Sequence, residues 1–175
     1  MIYSLENKIP EIADTVFIAP NASVIGDVKI GSGSSVWFHC TIRGDVFPIQ
    51  IGDNTNIQDN SVIHVTGGKH SVKIGNNVTI GHRCIVHGAE LADYSFIGMG
   101  SIVMDAVKIN PYGFVAAGAL VPPGMEVPEY TLVAGIPAKV IRRIKPEEEE
   151  MIRRVAENYS LNGQQYRQSL VSVSR

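Results

Sequence analysis

Branched aliphatic residues recur at six-residue intervals through most of this 175-residue chain. The series consists of Ile18, Val24, Ile30, Val36, Ile42, Ile51, Ile57, Ile63, Ile74, Ile80, Val86, Leu91, Ile97, Val103, Ile109, Val115 and Val121. A period of six matches neither the period of an α-helix nor the alternation of a long strand, and it is typical of parallel β-helices. A small or modest side chain stands four positions after most of these aliphatics, where it can point into the same interior. The sequence therefore predicts an all-β, single-stranded parallel β-helix from about residue 10 to residue 141.

The six-residue register breaks twice. Nine residues separate Ile42 from the next aliphatic of the series, and eleven separate Ile63 from its successor. Insertions in a solenoid project from one corner of the coil, often on the binding face. We therefore predict two loops, at residues 45–50 and 65–73, on one side of the β-helix.

Three hexapeptides per coil give a triangular cross-section, whose faces we name A, B and C in the order in which the chain forms them. Face A begins at Ile18 and face B at Val24. In three successive coils, the residues that directly follow the face B aliphatic are Arg43, His64 and His87. Because neighbouring coils stack about 4.8 Å apart, these three side chains form one column, and two of its imidazoles can share a metal ion.

A third histidine falls on a different face. His82 follows the face A residue Ile80 by two positions, and Asp59 occupies the equivalent position in the preceding coil. One chain does not readily bring face A against face B, whereas a neighbouring subunit related by cyclic symmetry does so at every interface. Three neutral imidazoles make a catalytic type of zinc site, because they leave the fourth tetrahedral position open to water. We therefore predict a metal site of His64, His82 and His87, shared between subunits.

The composition excludes several classes of protein. A formal net charge of −2 provides no basic surface for nucleic acid, and 45% hydrophobic with 18% charged residues argues against disorder. No signal peptide or membrane span is visible, so we expect a cytoplasmic protein. Cys40 and Cys84 both occupy inward positions on face A, two coils apart, which is too far for a disulfide. We expect two buried thiols in a reducing compartment.

The chain changes character after residue 145. Pro146 followed by four glutamates is a typical helix start, because proline fits the first turn and acids favour the positive end of the helix dipole. We therefore expect a β-helix domain at residues 1–145, a helix at 146–170 packed along its outside, and a flexible tail at 171–175. The helix is expected to bury one apolar stripe, which consists of Met151, Ile152, Val155, Tyr159 and Leu161.

Several short motifs stand out within the repeats. They are Arg43-Gly44-Asp45, Asn56-Ile57-Gln58-Asp59, Ile63-His64, His82-Arg83-Cys84-Ile85-Val86-His87-Gly88 and the closing Ala134-Gly135-Ile136-Pro137-Ala138-Lys139. With these motifs the chain resembles a γ-class carbonic anhydrase, and the resemblance covers nearly its whole length. It implies a left-handed β-helix, a homotrimer and a Zn²⁺ ion, with Fe²⁺ or Co²⁺ as alternatives. It also implies that His64 and His87 of one subunit and His82 of the next hold the metal.

The activity that the resemblance implies is the reversible hydration of carbon dioxide to bicarbonate. Gln58 matches the family glutamine that orients the reacting water. Arg43 is expected either to bind bicarbonate or to form an ion pair with Asp59 across the interface, and Asp45 to hold an arginine of the partner subunit. Tyr159 is similar to a tyrosine of the C-terminal helix that the family places near the metal.

The chain departs from the family pattern beside Asp45. Well-studied members carry glutamates in loops near the metal that move protons to solvent, whereas Val46 follows Asp45 here. Proton release then needs another route, for which His70, Tyr159 and a chain of water molecules stay open as alternatives.

Two other functions fit the same fold. A hexapeptide acyltransferase or thioesterase would take acyl coenzyme A in the groove between subunits and use one histidine as a general base. A non-catalytic scaffold would use the metal and the ion pairs only to hold the trimer together. Three convergent histidines exceed the needs of acyl transfer, and Gln58 and Asp59 have no evident role in it. The fold alone does not decide among these functions, because function belongs to the site.

Overall fold

Short strands separated by tight turns wind the chain into a parallel β-solenoid. The structure is a computed structural model, and it describes residues 1–173. Its strands are β1 (Ile2–Tyr3), β2 (Glu11–Ile12), β3 (Phe17–Ile18), β4 (Ser23–Ile30), β5 (Ser35–Val36), β6 (Thr41–Ile51), β7 (Asn56–Ile57), β8 (Val62–His64), β9 (Val72–Ile74), β10 (Thr79–Ile80), β11 (Ile85–His87), β12 (Glu90–Leu91), β13 (Phe96–Ile97), β14 (Ile102–Val103), β15 (Lys108–Ile109), β16 (Phe114–Val115), β17 (Leu120–Val121), β18 (Glu126–Val127), β19 (Thr131–Gly135) and β20 (Ala138–Arg143). They are followed by helix α1 (Pro146–Ser169).

Strands of successive coils pair in parallel and form two sheets. One sheet carries face A, in the order β3-β5-β7-β10-β13-β16-β19-β20. The other carries faces B and C, which the long strands β4 and β6 join around a corner. On face B, β6 is followed by β8, β11, β14 and β17, and on face C by β9, β12, β15 and β18. The predicted triangular coil is confirmed, and an antiparallel β19–β20 pair follows the last coil.

The repeated aliphatics line the interior of the solenoid. All of them except the half-buried Ile18 are buried, and so are the inward positions that include Cys40 and Cys84. Hydroxyls in these positions bond the backbone of the next coil. Ser61 Oγ donates to the Gly81 carbonyl at 3.0 Å and accepts from the Cys84 amide at 3.1 Å. Small polar side chains are thus tolerated in the core because each finds a backbone partner.

The first register break is not a loop, so this part of the prediction is wrong. Strand β6 continues without interruption through residues 45–50 in an extended conformation. Gly26 of β4 pairs with Gly44 and Val28 pairs with Ile49, so four residues of β6 face one residue of β4. The insertion is absorbed as a bulge at the corner between faces B and C. Pairing with β4 holds β6 on both sides of the bulge, up to Gly44 and again from Ile49.

The second register break forms a loop, as predicted. An antiparallel bridge between Thr66 and His70 closes a short turn within residues 65–73 before β9 begins. Gly67 of this turn lies close to Val46 of the β6 bulge, since a Cβ atom on Gly67 would stand 3.2 Å from the Val46 Cβ. The two insertions therefore meet on one side of the solenoid, next to the ends of the face B strands.

Helix α1 begins at the predicted proline and is held by an acidic side chain in its first turn. The backbone amide of Lys145 donates to the Glu148 carboxylate at 2.7 Å. Arg142 of β20 donates two further hydrogen bonds to the same carboxylate, both at 2.7 Å. The hydrogen bonds from Arg142 lower the pKa of Glu148 to about 2. This carboxylate therefore joins the end of the last strand to the start of the helix.

One side of α1 packs against face A. Ile152 and Ala156 are fully buried, and Tyr159 packs edge-on against Trp37 with ring centroids 5.4 Å apart. The predicted apolar stripe is wrong at Leu161, which is 56% exposed. Nine helical residues separate Leu161 from Ile152, so their side chains point to opposite sides of the helix. Of the remaining members, Ile152 is buried and Met151, Val155 and Tyr159 are half-buried.

The described chain after α1 is short and irregular. Residues 171–173 have no regular structure and are exposed. Residues 174 and 175 of the predicted flexible tail lie outside the described residues. Across residues 1–173, no helix combines the length and the apolar character that a bilayer crossing requires.

Candidate metal centre

His64 and His87 lie side by side at the ends of two neighbouring strands of face B. The Cα register pairs His64 of β8 with His87 of β11, and Arg43 of β6 with His64, which confirms the predicted column. His64 Nδ1 and His87 Nε2 are 3.0 Å apart. Two nitrogens bound to one tetrahedral zinc ion stand about 3.3 Å apart, given zinc–nitrogen distances of about 2.0–2.1 Å. The two imidazoles are thus close to the spacing that one metal ion requires.

A carboxylate contacts each of these imidazoles. Asp45 Oδ1 lies 3.0 Å from His64 Nε2, and Asp105 Oδ1 lies 2.6 Å from His87 Nδ1. Burial raises the pKa of both carboxyl groups, but hydrogen bonds from neighbouring side chains, the histidines first, outweigh it and hold both pKa values below the ordinary range. Both groups are therefore ionised at neutral pH. Histidines that bind metals usually have such a partner for their second ring nitrogen.

Arg43 contacts Asp45 of its own chain. The two side chains leave β6 on the same side, because they are two positions apart on an extended strand. Arg43 Nη1 donates to Asp45 Oδ2. Asp45 thus binds Arg43 of its own chain. The Arg43 side chain remains 43% exposed, which leaves it able to contact an anion.

The third histidine belongs to a separate group on face A. His82 Nδ1 lies 2.9 Å from Asp59 Oδ2, so Asp59 pairs with His82 of its own chain. Gln58, beside Asp59, is only 5% exposed, and its Nε2 donates to Asn56 Oδ1 at 3.0 Å. Asn56 in turn donates to Thr79 Oγ1 at 2.9 Å. The Gln58 amide is therefore held in one orientation.

Tyr159 of α1 lies next to this second group. Its half-buried ring rests against Trp37. Burial and, after it, the negative charge of Asp59 raise the pKa of Tyr159. The hydroxyl consequently stays protonated at neutral pH, and it can donate a hydrogen bond in the neighbourhood of Asp59.

The histidines form two groups on different faces of the solenoid. The face B group consists of Asp45, His64, His87 and Asp105, and the face A group consists of Gln58, Asp59 and His82. Within residues 1–173 of one chain, no three histidine, cysteine, aspartate or glutamate side chains are arranged so that they could hold a metal ion. The three predicted ligand histidines therefore do not converge within one chain.

The donor chemistry of the two groups suits a transition metal. Imidazole nitrogens bind zinc and iron, and all three histidines have one ring nitrogen beside a carboxylate. The thiols are unsuited to such a site. Cys40 and Cys84 are free and buried in the core, and burial raises the pKa of each to about 11.

Sequence reasoning missed four residues that belong to these groups or support them. They are Asn56 and Thr79 beside Gln58, Asp105 beside His87, and Thr66, whose hydroxyl donates to Asp105. Asn56 and Thr79 are Cα partners in neighbouring coils, so the six-residue count contained the signal for their contact. Asp105 and Thr66 lie in turns between strands. No spacing rule links them to His87, because side chains at corners are not aligned by the strand register.

The fold and the site define the class of protein. The family "Bacterial transferase hexapeptide (six repeats)" matches residues 10–44. The chain is thus a hexapeptide-repeat solenoid that carries two histidine groups on separate faces.

Similar proteins identify the family within that class. Gamma carbonic anhydrase 1, a mitochondrial protein of Arabidopsis thaliana, is 46% identical over 88% of this chain. The match spans only 58% of the plant protein's own length. A carbonic anhydrase of Geobacillus kaustophilus is 47% identical over 95% of this chain and 91% of its own length. The chain belongs to the γ-carbonic anhydrase family.

A solved structure shows the same solenoid. The crystal structure of a hexapeptide transferase family protein from Anaplasma phagocytophilum superimposes with a TM-score of 0.91 at 42% sequence identity. It covers 94% of this chain and 97% of its own. The family's sequences therefore share this fold under names that refer to both carbonic anhydrases and transferases.

Proposed function

We propose that this protein catalyses the reversible hydration of carbon dioxide to bicarbonate at a metal ion held between the subunits of a homotrimer. One observation carries the proposal. One chain carries two groups of polar residues on different faces. Together the groups supply three histidines, and each histidine lies beside a carboxylate. Each group is incomplete alone, and the family membership connects the combination to carbonic anhydrase chemistry.

In this arrangement His64 and His87 of one subunit and His82 of its neighbour would hold the metal. Zinc is the ion that such a donor set favours, with iron or cobalt as alternatives. When bound, the ion supplies a water molecule whose pKa is lowered into the neutral range, which provides a nucleophile for carbon dioxide.

The remaining polar residues would orient the reactants. Because Gln58 Nε2 is committed to Asn56, its carbonyl oxygen is the atom that can accept a hydrogen bond from the reacting water. The partly exposed side chain of Arg43 can bind the oxygens of bicarbonate through its guanidinium. Asp45 and Asp59 would hold the imidazoles of His64 and His82 in place, and Tyr159 could donate a proton or a hydrogen bond beside them.

The surface around the histidine column supports contact with a second copy of the chain. On face B, Val62 and Ile85 point outward in register one position before Ile63 and Val86, and they are 38% and 39% exposed. Apolar side chains at the centre of a patch are typical of contacts between subunits. A neighbour that covered them would bring its own face toward His64 and His87.

Metal analysis tests the ligand set. Purified wild-type protein is expected to carry close to one metal ion per chain. His82→Ala should lose the metal as thoroughly as His64→Ala, although the two residues lie on different faces. Full metal content in either variant would overturn the proposed site.

Stopped-flow hydration of carbon dioxide tests the reaction. The assay should be run on zinc-loaded protein and on protein loaded with iron under anaerobic conditions. Acceleration that disappears in the His64→Ala variant supports the proposal. No acceleration with either metal would refute it.

Two other outcomes correspond to the competing functions. Saturable binding of acyl coenzyme A without hydration would favour an acyltransferase or thioesterase, for which the transferase name of the similar Anaplasma structure is the supporting observation. A metal-dependent trimer without either property would be a scaffold.

Both cysteines are free thiols, which supports a reducing compartment such as the cytoplasm.

A further inference from the structure

Asp105 connects the 65–73 loop to one of the proposed metal ligands. It stands in the turn between β14 and β15 and uses both carboxylate oxygens. Oδ1 lies 2.6 Å from His87 Nδ1, and Oδ2 accepts a hydrogen bond from Thr66 Oγ1 at 2.8 Å. Thr66 itself is fixed by two backbone hydrogen bonds with His70, each 3.0 Å long. The contacts run from the loop through one carboxylate to the imidazole.

Aspartates at similar corners of the solenoid have a different role. Asp53 Oδ1 accepts the backbone amide of Ser32 at 2.7 Å, and Asp93 Oδ1 accepts that of Asn76 at 2.8 Å. Both stabilise the turn of the preceding coil. Asp105 bonds two side chains from different segments in place of a turn amide. Asp105 stands over Gly88 as Asp53 stands over Gly31 and Asp93 over Gly75, so what sets it apart is its two partners, His87 and Thr66.

The glycine after His87 makes room for this carboxylate. Gly88 has a φ of +56°, and Asp105 Oδ1 occupies the space where a Cβ atom on Gly88 would lie. Any side chain at this position would displace the carboxylate from His87. The absence of a side chain at residue 88 thus allows the contact between Asp105 and the imidazole.

We propose that Asp105, held by Thr66, is a positioning residue that sets the tautomer and ring orientation of His87 for metal binding. The inference rests on the proposed metal site. Because Asp105 accepts the proton on Nδ1, the lone pair of His87 is placed on Nε2, the atom that faces His64. The 65–73 loop then has a function as well, since it supplies the hydroxyl that fixes Asp105.

Metal affinity measured on the intact protein tests this role. Zinc affinity, determined by competition with a chelator, should fall about 10–100-fold in Asp105→Ala, the usual cost of losing such a partner. Asp93→Ala is the matched control, because it removes a corner aspartate whose carboxylate, among residues 1–173, bonds Asn76 and neither histidine of face B. It should keep zinc affinity within about threefold. The visible spectrum of cobalt-loaded protein should change in Asp105→Ala and stay unchanged in the control.

Variants of Thr66 test the hydrogen bond between Thr66 and Asp105 without changing Asp105. They keep the proposal testable if the Asp105 variant misfolds. Thr66→Val should weaken zinc binding, and Thr66→Ser, which retains the hydroxyl, should restore it. Unchanged zinc affinity in both Asp105→Ala and Thr66→Val, while His87→Ala loses the metal, would overturn the positioning role and leave the proposed site intact. Wild-type protein that binds no metal would overturn both.

Discussion

The separation of the histidines onto two faces predicts that two inactive variants can restore each other. His64→Ala damages the face B group and leaves His82 intact, whereas His82→Ala does the reverse. Neither variant alone can build a complete site in a trimer that joins face B of one subunit to face A of the next. A mixed trimer contains one interface at which both contributing groups are intact.

The size of the recovery follows from the symmetry. Random assembly of equal amounts of the two variants yields about three quarters mixed trimers, and each mixed trimer has one complete site out of three. The bulk metal content should therefore recover to about a quarter of the wild-type value. Mixed trimers isolated with a different affinity tag on each variant should carry about a third.

In the assay, the two variants are refolded together and the mixed trimers are isolated. Their metal content is then measured. The control pairs His64→Ala with His87→Ala, which both damage the face B group and should show no recovery. Absent recovery in mixed trimers of the first pair would refute the division of the site between subunits. Equal recovery in the control pair would show that His87 does not act together with His64.

Three further predictions concern the scaffold. Ile152→Ala should lower the free energy of unfolding by about 2–5 kcal/mol in chemical denaturation at fixed protein concentration, because Ile152 is fully buried between α1 and face A. Glu148→Gln should make stability less dependent on pH, as measured by thermal unfolding. The pKa of Glu148 is about 2 in the fold and 4.5 ordinarily, so its stabilisation is present above pH 4.5 and is lost as the pH falls toward 2. Cys40 and Cys84 should not react with a thiol reagent at pH 7 in the native protein and should react once it is unfolded, because burial raises the pKa of each to about 11.

Each of these predictions has an outcome that contradicts it. The exposed Leu161→Ala serves as the control for the helix, and an equal loss of stability in both variants would show that α1 does not pack as described. A Glu148→Gln variant whose stability falls with acid as steeply as that of the wild type would remove the role of this carboxylate. Rapid modification of native protein would show that the thiols are accessible.

Much of the fold followed from one number, the period of six. It predicted the three faces, the buried positions and the column of Arg43, His64 and His87, and the strand register confirms them. The prediction worked because backbone hydrogen bonds between coils align residues at fixed intervals, whatever their side chains. The count failed where the chain leaves that register. The 45–50 insertion was predicted as a loop, but it forms part of β6, whose pairing with β4 resumes at Ile49 after the bulge.

For the site residues, too, some contacts could be predicted from the sequence and others only from the structure. The sequence by itself determined which histidines share a face, and hence that His64 and His87 stack while His82 stands apart. Only the tertiary structure decided that Asp105 and Thr66 support His87, and that Asp45 binds Arg43 of its own chain. The physical reason is that strand register is a repeating property of the backbone, which spacing records. Contacts made at corners depend on how turns from distant parts of the chain fold against one another.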